Sequence, residues 1–269
     1  LTGAPPLSDA HAEASPRKTM EIEFLGTGTS VGIPMIGCDC PTCTSDDPRD
    51  RRLRVSLLIR HQGAQILIDP SIDFRQQALR AGLKSLDAVL ITHAHADHVF
   101  GIDDLRALNY RQGAIPCFAS AETWQNLYRM FSYAFGPPGP SSRPRLVPHI
   151  IGGEFTLCGL HVTPVALPHG DMTTLGFRLE NFAYITDCNA IPDVACEQLL
   201  GLEVLVLDCV RYKPHPTHLH LDAALAYIAR LQPKRAYLTH MAHDIRHAEL
   251  DARLPPGVRL AYDGLRLVV

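Results

Sequence analysis

Apolar and polar positions begin to alternate at Met20, where EIEFLG reads as a strand running into the Gly/Thr/Ser stretch GTGTSVG. RVSLLIR and QILIDP flank the turn residues HQG, the pattern of a β-hairpin. LDAVLIT is a short unbroken apolar run of the kind that fills a buried strand, and it stops where THAHADH begins. ETWQNLYRMFSYAF has helical spacing, and the Pro-, Gly- and Ser-dense residues 136–148 predict a long surface loop able to cover a cleft. FTLCGLHVTPVAL, LGFRLE, FAYITDC, EVLVLDCV and RAYLTH read as strands, LDAALAYIARLQ as an amphipathic helix, and YDGLRLVV closes on a DG turn.

Residues 1–18 are rich in Ala, Pro and Ser with little periodicity and are expected to form a disordered extension, leaving 19–269 as one domain. β-rich stretches with helices interspersed in both halves suit an α/β layered fold: two packed mixed β-sheets flanked by helices, an αββα sandwich. The apolar stripe of LDAALAYIARLQ is most simply core, although an apolar edge could also support a homodimer.

Composition narrows the functions. A net charge of −3 offers no basic field to track a polynucleotide backbone, so small substrates are favoured and nucleic-acid partners are not expected. No apolar run approaches the ~18 residues of a membrane span, and the first residues lack the apolar centre of a secretory signal, so a cytoplasmic protein is expected. Fourteen histidines is a high count, and many fall in THAHADH, LPHGD, HPTHLH and THMAHDIRH. Three of the eight cysteines crowd into CDCPTC, which suits metal better than disulfides.

His93, His95, Asp97 and His98 form HxHxDH directly after a buried strand, where the chain can turn successive side chains toward one point. Imidazole and carboxylate together suit Zn²⁺, Mn²⁺ or Fe²⁺ without deciding among them. Cys38, Cys40 and Cys43 present three thiols within six residues, one ligand short of a closed tetrahedral zinc site. No GxSxG elbow argues for a serine nucleophile.

HxHxDH followed by a distant His, an Asp and another His resembles the metallo-β-lactamase superfamily. That resemblance implies one metal on His93, His95 and His169, a second on Asp97, His98 and His240, and Asp187 bridging them. Two such ions would lower the pKa of a shared water, making water the nucleophile of a hydrolase. Asp69, ending QILIDP, would brace the loop by hydrogen bonds, with a strand-terminating turn as the plainer alternative.

GTGTS, IGCDCPTC, HxHxDH and THMAH together are similar to the PhnP-like branch that contains the phosphoribosyl cyclic phosphodiesterase of phosphonate breakdown. Membership there would make His243 the fourth ligand of a structural zinc. It would make small phosphodiesters, cyclic ones included, the substrates, and give His218 a catalytic role beside Asp97 as proton donor to the leaving alkoxide or holder of the phosphate. His215 and His220 compete for that role; should His220 begin the following helix, Asp222 is the expected N-cap. Thioester hydrolysis of the glyoxalase II kind, tRNA-processing endonuclease activity and a non-catalytic binding module are the competing functions.

Overall fold

The structure is a computed structural model that describes residues 19–135 and 142–269; the expected extension at 1–18 lies outside the described residues. The strands are β1 (Met20–Gly26), β2 (Ser56–His61), β3 (Ala64–Ile68), β4 (Ala88–Leu90), β5 (Ile115–Ala119), β6 (Leu146–Ile150), β7 (Phe155–Leu157), β8 (Leu160–His169), β9 (Met172–Leu179), β10 (Phe182–Ile185), β11 (Val204–Asp208), β12 (Arg235–Thr239), β13 (Val258–Leu260) and β14 (Arg266–Val268). The helices are α1 (Phe74–Arg80), α2 (Ala96–Val99), α3 (Arg106–Gln112), α4 (Ala121–Met130), α5 (Ser132–Phe135), α6 (Asp193–Gln198), α7 (Leu221–Leu231) and α8 (His247–Asp251). Among the described residues they form two seven-stranded mixed sheets, ordered β14-β1-β2-β3-β4-β5-β6 and β13-β12-β11-β10-β9-β8-β7.

Both faces of each sheet are covered, which is why many strands read as continuous apolar runs. Alternate residues sort to opposite faces. Leu57, Ile59, Ile66 and Ile68 meet Val204, Val206, Phe182 and Tyr184 between the sheets. Leu58 and Leu67 face outward to Trp124 and Leu127 of α4, and Leu205 and Leu207 to Ala224, Ile228 and Leu231 of α7. The result is the expected αββα sandwich, with the α7 stripe spent on its own core. No helix of the described residues is long and apolar enough to cross a membrane.

Two expectations need correction. ETWQNLYRMFSYAF is not one helix: the backbone leaves helical geometry at Phe131 (φ −114°, ψ 38°), which separates α4 from α5 and buries that ring edge-on against Phe100. The expected loop 136–148 ends early, because residues 146–148 belong to β6, paired in parallel with β5. β6 is an edge strand, where Pro148 costs no ladder hydrogen bond on its open side. Residues 136–141 lie outside the described residues, so the role expected of that loop has no structural description.

Arg52 fastens the segment before β2 to the loop after β12. Its guanidinium is fully buried, pairs with Asp50 at 3.0 Å, and donates to the carbonyls of Ala242 (3.1 Å) and Ile245 (2.7 Å). Asp50 also accepts from the His247 amide at 2.7 Å. Removing one member of a buried pair strands the other charge, so Arg52→Ala is expected to lower the unfolding free energy by about 3–5 kcal/mol. Urea denaturation measures this, and an unchanged midpoint contradicts it.

Candidate metal centre

β10, β11 and β12 are mutually parallel, and β8 runs with them because β9 opposes both β8 and β10. The C-terminal ends of these four strands therefore share one edge, where they deliver His169, Asp187, Asp208 and His240. In the other sheet, parallel β3 and β4 deliver Asp69 and the HxHxDH loop, whose last residues open α2. Asp69, Asp187 and His240 have φ of 58°, 55° and 61°. A non-glycine residue in the left-handed region costs on the order of 1–2 kcal/mol, and these three, from strand ends of both sheets, converge on one place, which makes it a candidate functional site.

All seven predicted catalytic-pair residues meet there, and Asp187, His218 and His240 form a further group that overlaps the two described next. His93, His95, His169 and Asp187 form one group of convergent donor atoms, and Asp97, His98 and His240 a second. Asp187 lies between them: Oδ2 is 3.9 Å from His93 Nε2, 3.8 Å from His169 Nε2 and 3.4 Å from His240 Nε2, and Oδ1 is 3.2 Å from His98 Nε2. Asp97 Oδ2 is 3.6 Å from His98 Nε2 and 3.7 Å from His240 Nε2.

Hydrogen bonds on the far side of the rings aim these nitrogens inward. His93 Nδ1–H donates to Thr92 Oγ1 (3.0 Å), His98 Nδ1–H to Asp69 Oδ2 (2.8 Å) and His169 Nδ1–H to the Thr217 carbonyl (2.8 Å). Asp69 also accepts from the Thr92 amide and hydroxyl, both at 2.8 Å, so it is the brace expected of it. With Nδ1 engaged outward, Nε2 is the nitrogen that each of these three rings turns toward the centre. The fit is sharpest at His98 and His240, whose buried Nε2 atoms have no hydrogen-bond partner among the described residues yet face carboxylates. His95 turns Nδ1 inward instead, 2.9 Å from His93 Nε2 and 3.4 Å from His169 Nε2. These clusters can hold metal ions.

The electrostatics favour added positive charge. Burial works against ionising Asp187 and Asp97, but the surrounding imidazoles outweigh it and hold both carboxyls below the ordinary range. Burial likewise opposes charge on His98 and His240, yet Asp187 and its neighbours hold His98 well above its usual value and push His240 up to about 9. In the first group burial dominates and depresses His93, His95 and His169, which keeps their lone pairs available.

A cleft of about 440 Å³ opens over the pair, lined by Ser30, His95, His169, Asp171, Asp187 and His218 among others. His218 is buried in its wall with Nε2 3.8 Å from Asp187 Oδ2. His215 sits beside it, ring centroids 5.0 Å apart, bonded to Thr217. His220 joins no ligand cluster among the described residues. It occupies the N-cap position of α7 without a side-chain cap bond, so Asp222, inside the first turn, is not the N-cap expected of it. Asp208 escaped the sequence reading, which took EVLVLDCV as an apolar strand; the available signal was a lone carboxylate at the end of that run.

Cys38, Cys40, Cys43 and His243 form a separate cluster, with the three sulfurs 3.2, 3.5 and 3.8 Å from His243 Nδ1. Burial acts against the Cys40 thiolate, but hydrogen bonds from Cys43 and Cys38 lower that thiol to about 6. The set supplies four convergent donors, the number that a tetrahedral zinc site takes. His243 lies three residues beyond His240, so one short turn joins the two centres.

Residues 64–241 match the β-lactamase superfamily domain. The chain is 36% identical over 255 residues to an octanoyltransferase of Porphyromonas gingivalis, covering 93% of this chain and 52% of that protein. It is 30% identical over 163 residues to a ribonuclease Z of Bradyrhizobium sp., covering 59% of this chain and 49% of that one. The chain thus spans about half the length of these curated relatives. Among solved structures it is similar to a diphosphatase from the PhnP family, with a TM-score of 0.88 and 41% identity over 93% of this chain and 97% of the other.

Because, against burial, Asp187, Asp97 and Asp208 push His240 up to about 9, a cation entering between Asp97, His98 and His240 near neutral pH is expected to displace its proton. Zinc affinity of the metal-free protein is therefore expected to rise with pH below 9, by about tenfold per unit for each proton displaced, with protons released on binding. Calorimetric titration in buffers of different ionisation enthalpy reads this directly. Affinity independent of pH between 6 and 8 contradicts it.

Proposed function

The chain belongs to the metallo-β-lactamase superfamily of hydrolases, in its PhnP-like branch, and on that premise we propose that it is a dinuclear-metal phosphodiesterase acting on small phosphodiesters, cyclic ones included. The observation that carries the reading is the pair of ligand groups joined by Asp187, with the His218 imidazole in the wall of the same cleft. In the proposal, His93, His95 and His169 hold one divalent ion and Asp97, His98 and His240 the other. Asp187 is shared between them, and Cys38, Cys40, Cys43 and His243 hold a structural zinc. Zn²⁺ and Mn²⁺ suit the catalytic donors best, with Fe²⁺ also compatible.

When bound, such a pair supplies Lewis-acid activation of the phosphoryl group and a water nucleophile usable at neutral pH. The chain's own side chains do the remainder. Asp187 and Asp97 stay anionic, which keeps the centre receptive to cations. Asp69, Thr92 and the Thr217 carbonyl fix the imidazole tautomers by taking the outer N–H groups. His218, with Nε2 on the cleft side, hands a proton to the leaving oxygen, and its burial keeps that transfer away from bulk water.

The size of the cleft and the net charge of −3 favour a small substrate over a polynucleotide, despite the ribonuclease Z relative. The diphosphatase neighbour points to attack at phosphorus as well. A second reading, acyl thioester hydrolysis, draws on the octanoyltransferase relative, whose name denotes an eight-carbon acyl group. The cleft's histidines, carboxylates, Ser30 and Thr217 supply polar groups that a phosphate can engage, which favours the phosphorus reading.

Metal-replete protein assayed in parallel on bis(p-nitrophenyl) phosphate, a dialkyl diphosphate and an octanoyl thioester separates the readings. Turnover at phosphorus is expected, with a loss on the order of 10³-fold or more in Asp97→Ala. Thioester turnover without either phosphorus activity would overturn the proposal.

A further inference from the structure

Asp208 closes β11 at the edge that carries the metal centre, and it belongs to neither ligand group. Its carboxylate is fully buried. Oδ2 accepts from His218 Nδ1–H at 3.1 Å and from the amides of Cys188 and Leu219, both at 3.3 Å. These amides directly follow Asp187 and His218, so one oxygen gathers the two segments that present the bridging carboxylate and the cleft imidazole. Oδ1 faces the other way, 3.8 Å from His240 Nδ1. Neither of those two atoms has a hydrogen-bond partner among the described residues, although both are buried. Between these contacts the His218 and His240 rings stack, with centroids 4.7 Å apart and planes at 19°.

We propose that Asp208 is a positioning residue shared by His218 and His240, a single carboxylate that holds both imidazoles with the proton on Nδ1 and Nε2 aimed into the centre. A carboxylate only accepts, so an imidazole nitrogen set against it carries hydrogen. On His240 that leaves Nε2 as the nitrogen that gives up its proton when a cation enters beside Asp97 and Asp187. On His218 it orients Nε2 toward the cleft, and the doubly protonated ring, with Asp208 as its counter-charge, is the form that gives the Nε2 proton to the leaving oxygen and is left with Nδ1–H. Asp69 gives His98 the same service at 2.8 Å, and Asp208 differs in serving two rings at once. Metal-ligand geometry and proton delivery to the leaving group are thereby tied to one side chain. The part concerning His218 rests on the phosphodiesterase reading; the part concerning His240 does not.

The test uses the isosteric Asp208→Asn variant in full-length, zinc-loaded protein. Its amide keeps one oxygen for His218 and the two backbone donors, which sets an N–H group against His240 Nδ1. Imidazole ¹⁵N spectra are expected to show Nδ1 protonated on both rings in the unaltered protein, and the His240 proton moved to Nε2 in the variant, with zinc lost from the catalytic pair. In kinetics, Asp208→Asn and His218→Ala should each slow an alkyl diester on the order of 10²-fold but a p-nitrophenyl diester less than about tenfold, because a good leaving group needs no proton. The double variant should be no slower on the alkyl diester than the slower of the two single variants. Unchanged ¹⁵N spectra with rate losses equal for both leaving groups would overturn the proposal. If the unaltered protein cleaves no diester, the phosphodiesterase reading fails, and the ¹⁵N spectra and zinc content still decide the role of Asp208.

Discussion

Everything at the active edge follows from one buried negative charge. Asp187 is removed from solvent, and an isolated carboxylate there would cost several kcal/mol or more. The fold surrounds it with imidazoles, of which His98 and His240 are pushed, against their burial, toward the protonated form by the carboxylates while burial keeps His93, His95 and His169 neutral. A compact positive charge placed among these donors can take over from the protons on His98 and His240. Metal occupancy satisfies carboxylates and imidazoles together, and the partnerless Nε2 atoms of His98 and His240 mark where it is most needed.

The sandwich makes that crowding affordable. Parallel strands place their C-terminal ends on one edge, so ligands distant in sequence arrive together without long excursions of the chain. Left-handed turns at Asp69, Asp187 and His240 aim the side chains, and the tightly packed apolar layers beneath hold those turns in place. On the flank, Arg52 and the Cys38, Cys40, Cys43 and His243 cluster clamp the loop that follows His240. Support for the centre comes from two directions, the sheets below and the clamp beside it.

Legibility in the sequence tracked how local each signal was. HxHxDH packs four ligand-type residues into six positions after an apolar run, so it could be read directly. His169, Asp187 and His240 were each ambiguous alone and became readable through their order and their places after strands. The layered architecture was legible because strand and helix periods differ and both faces of each sheet are buried. Asp208 was not, since an acid ending an apolar strand looks like a boundary and its partners His218 and His240 are assembled only by the fold. β6 was hidden for the opposite reason: an exposed edge strand containing Pro148 carries no alternation. The break at Phe131 follows from where that ring finds a partner, which helical spacing does not encode.

The most direct test of the central claim is an anomalous-scattering map from crystals of metal-loaded protein, collected at the zinc, manganese and iron absorption edges. The account predicts one peak among His93, His95 and His169, one among Asp97, His98 and His240, Asp187 between them, and a zinc peak at Cys38, Cys40, Cys43 and His243. A map with no metal against Asp187 would contradict it.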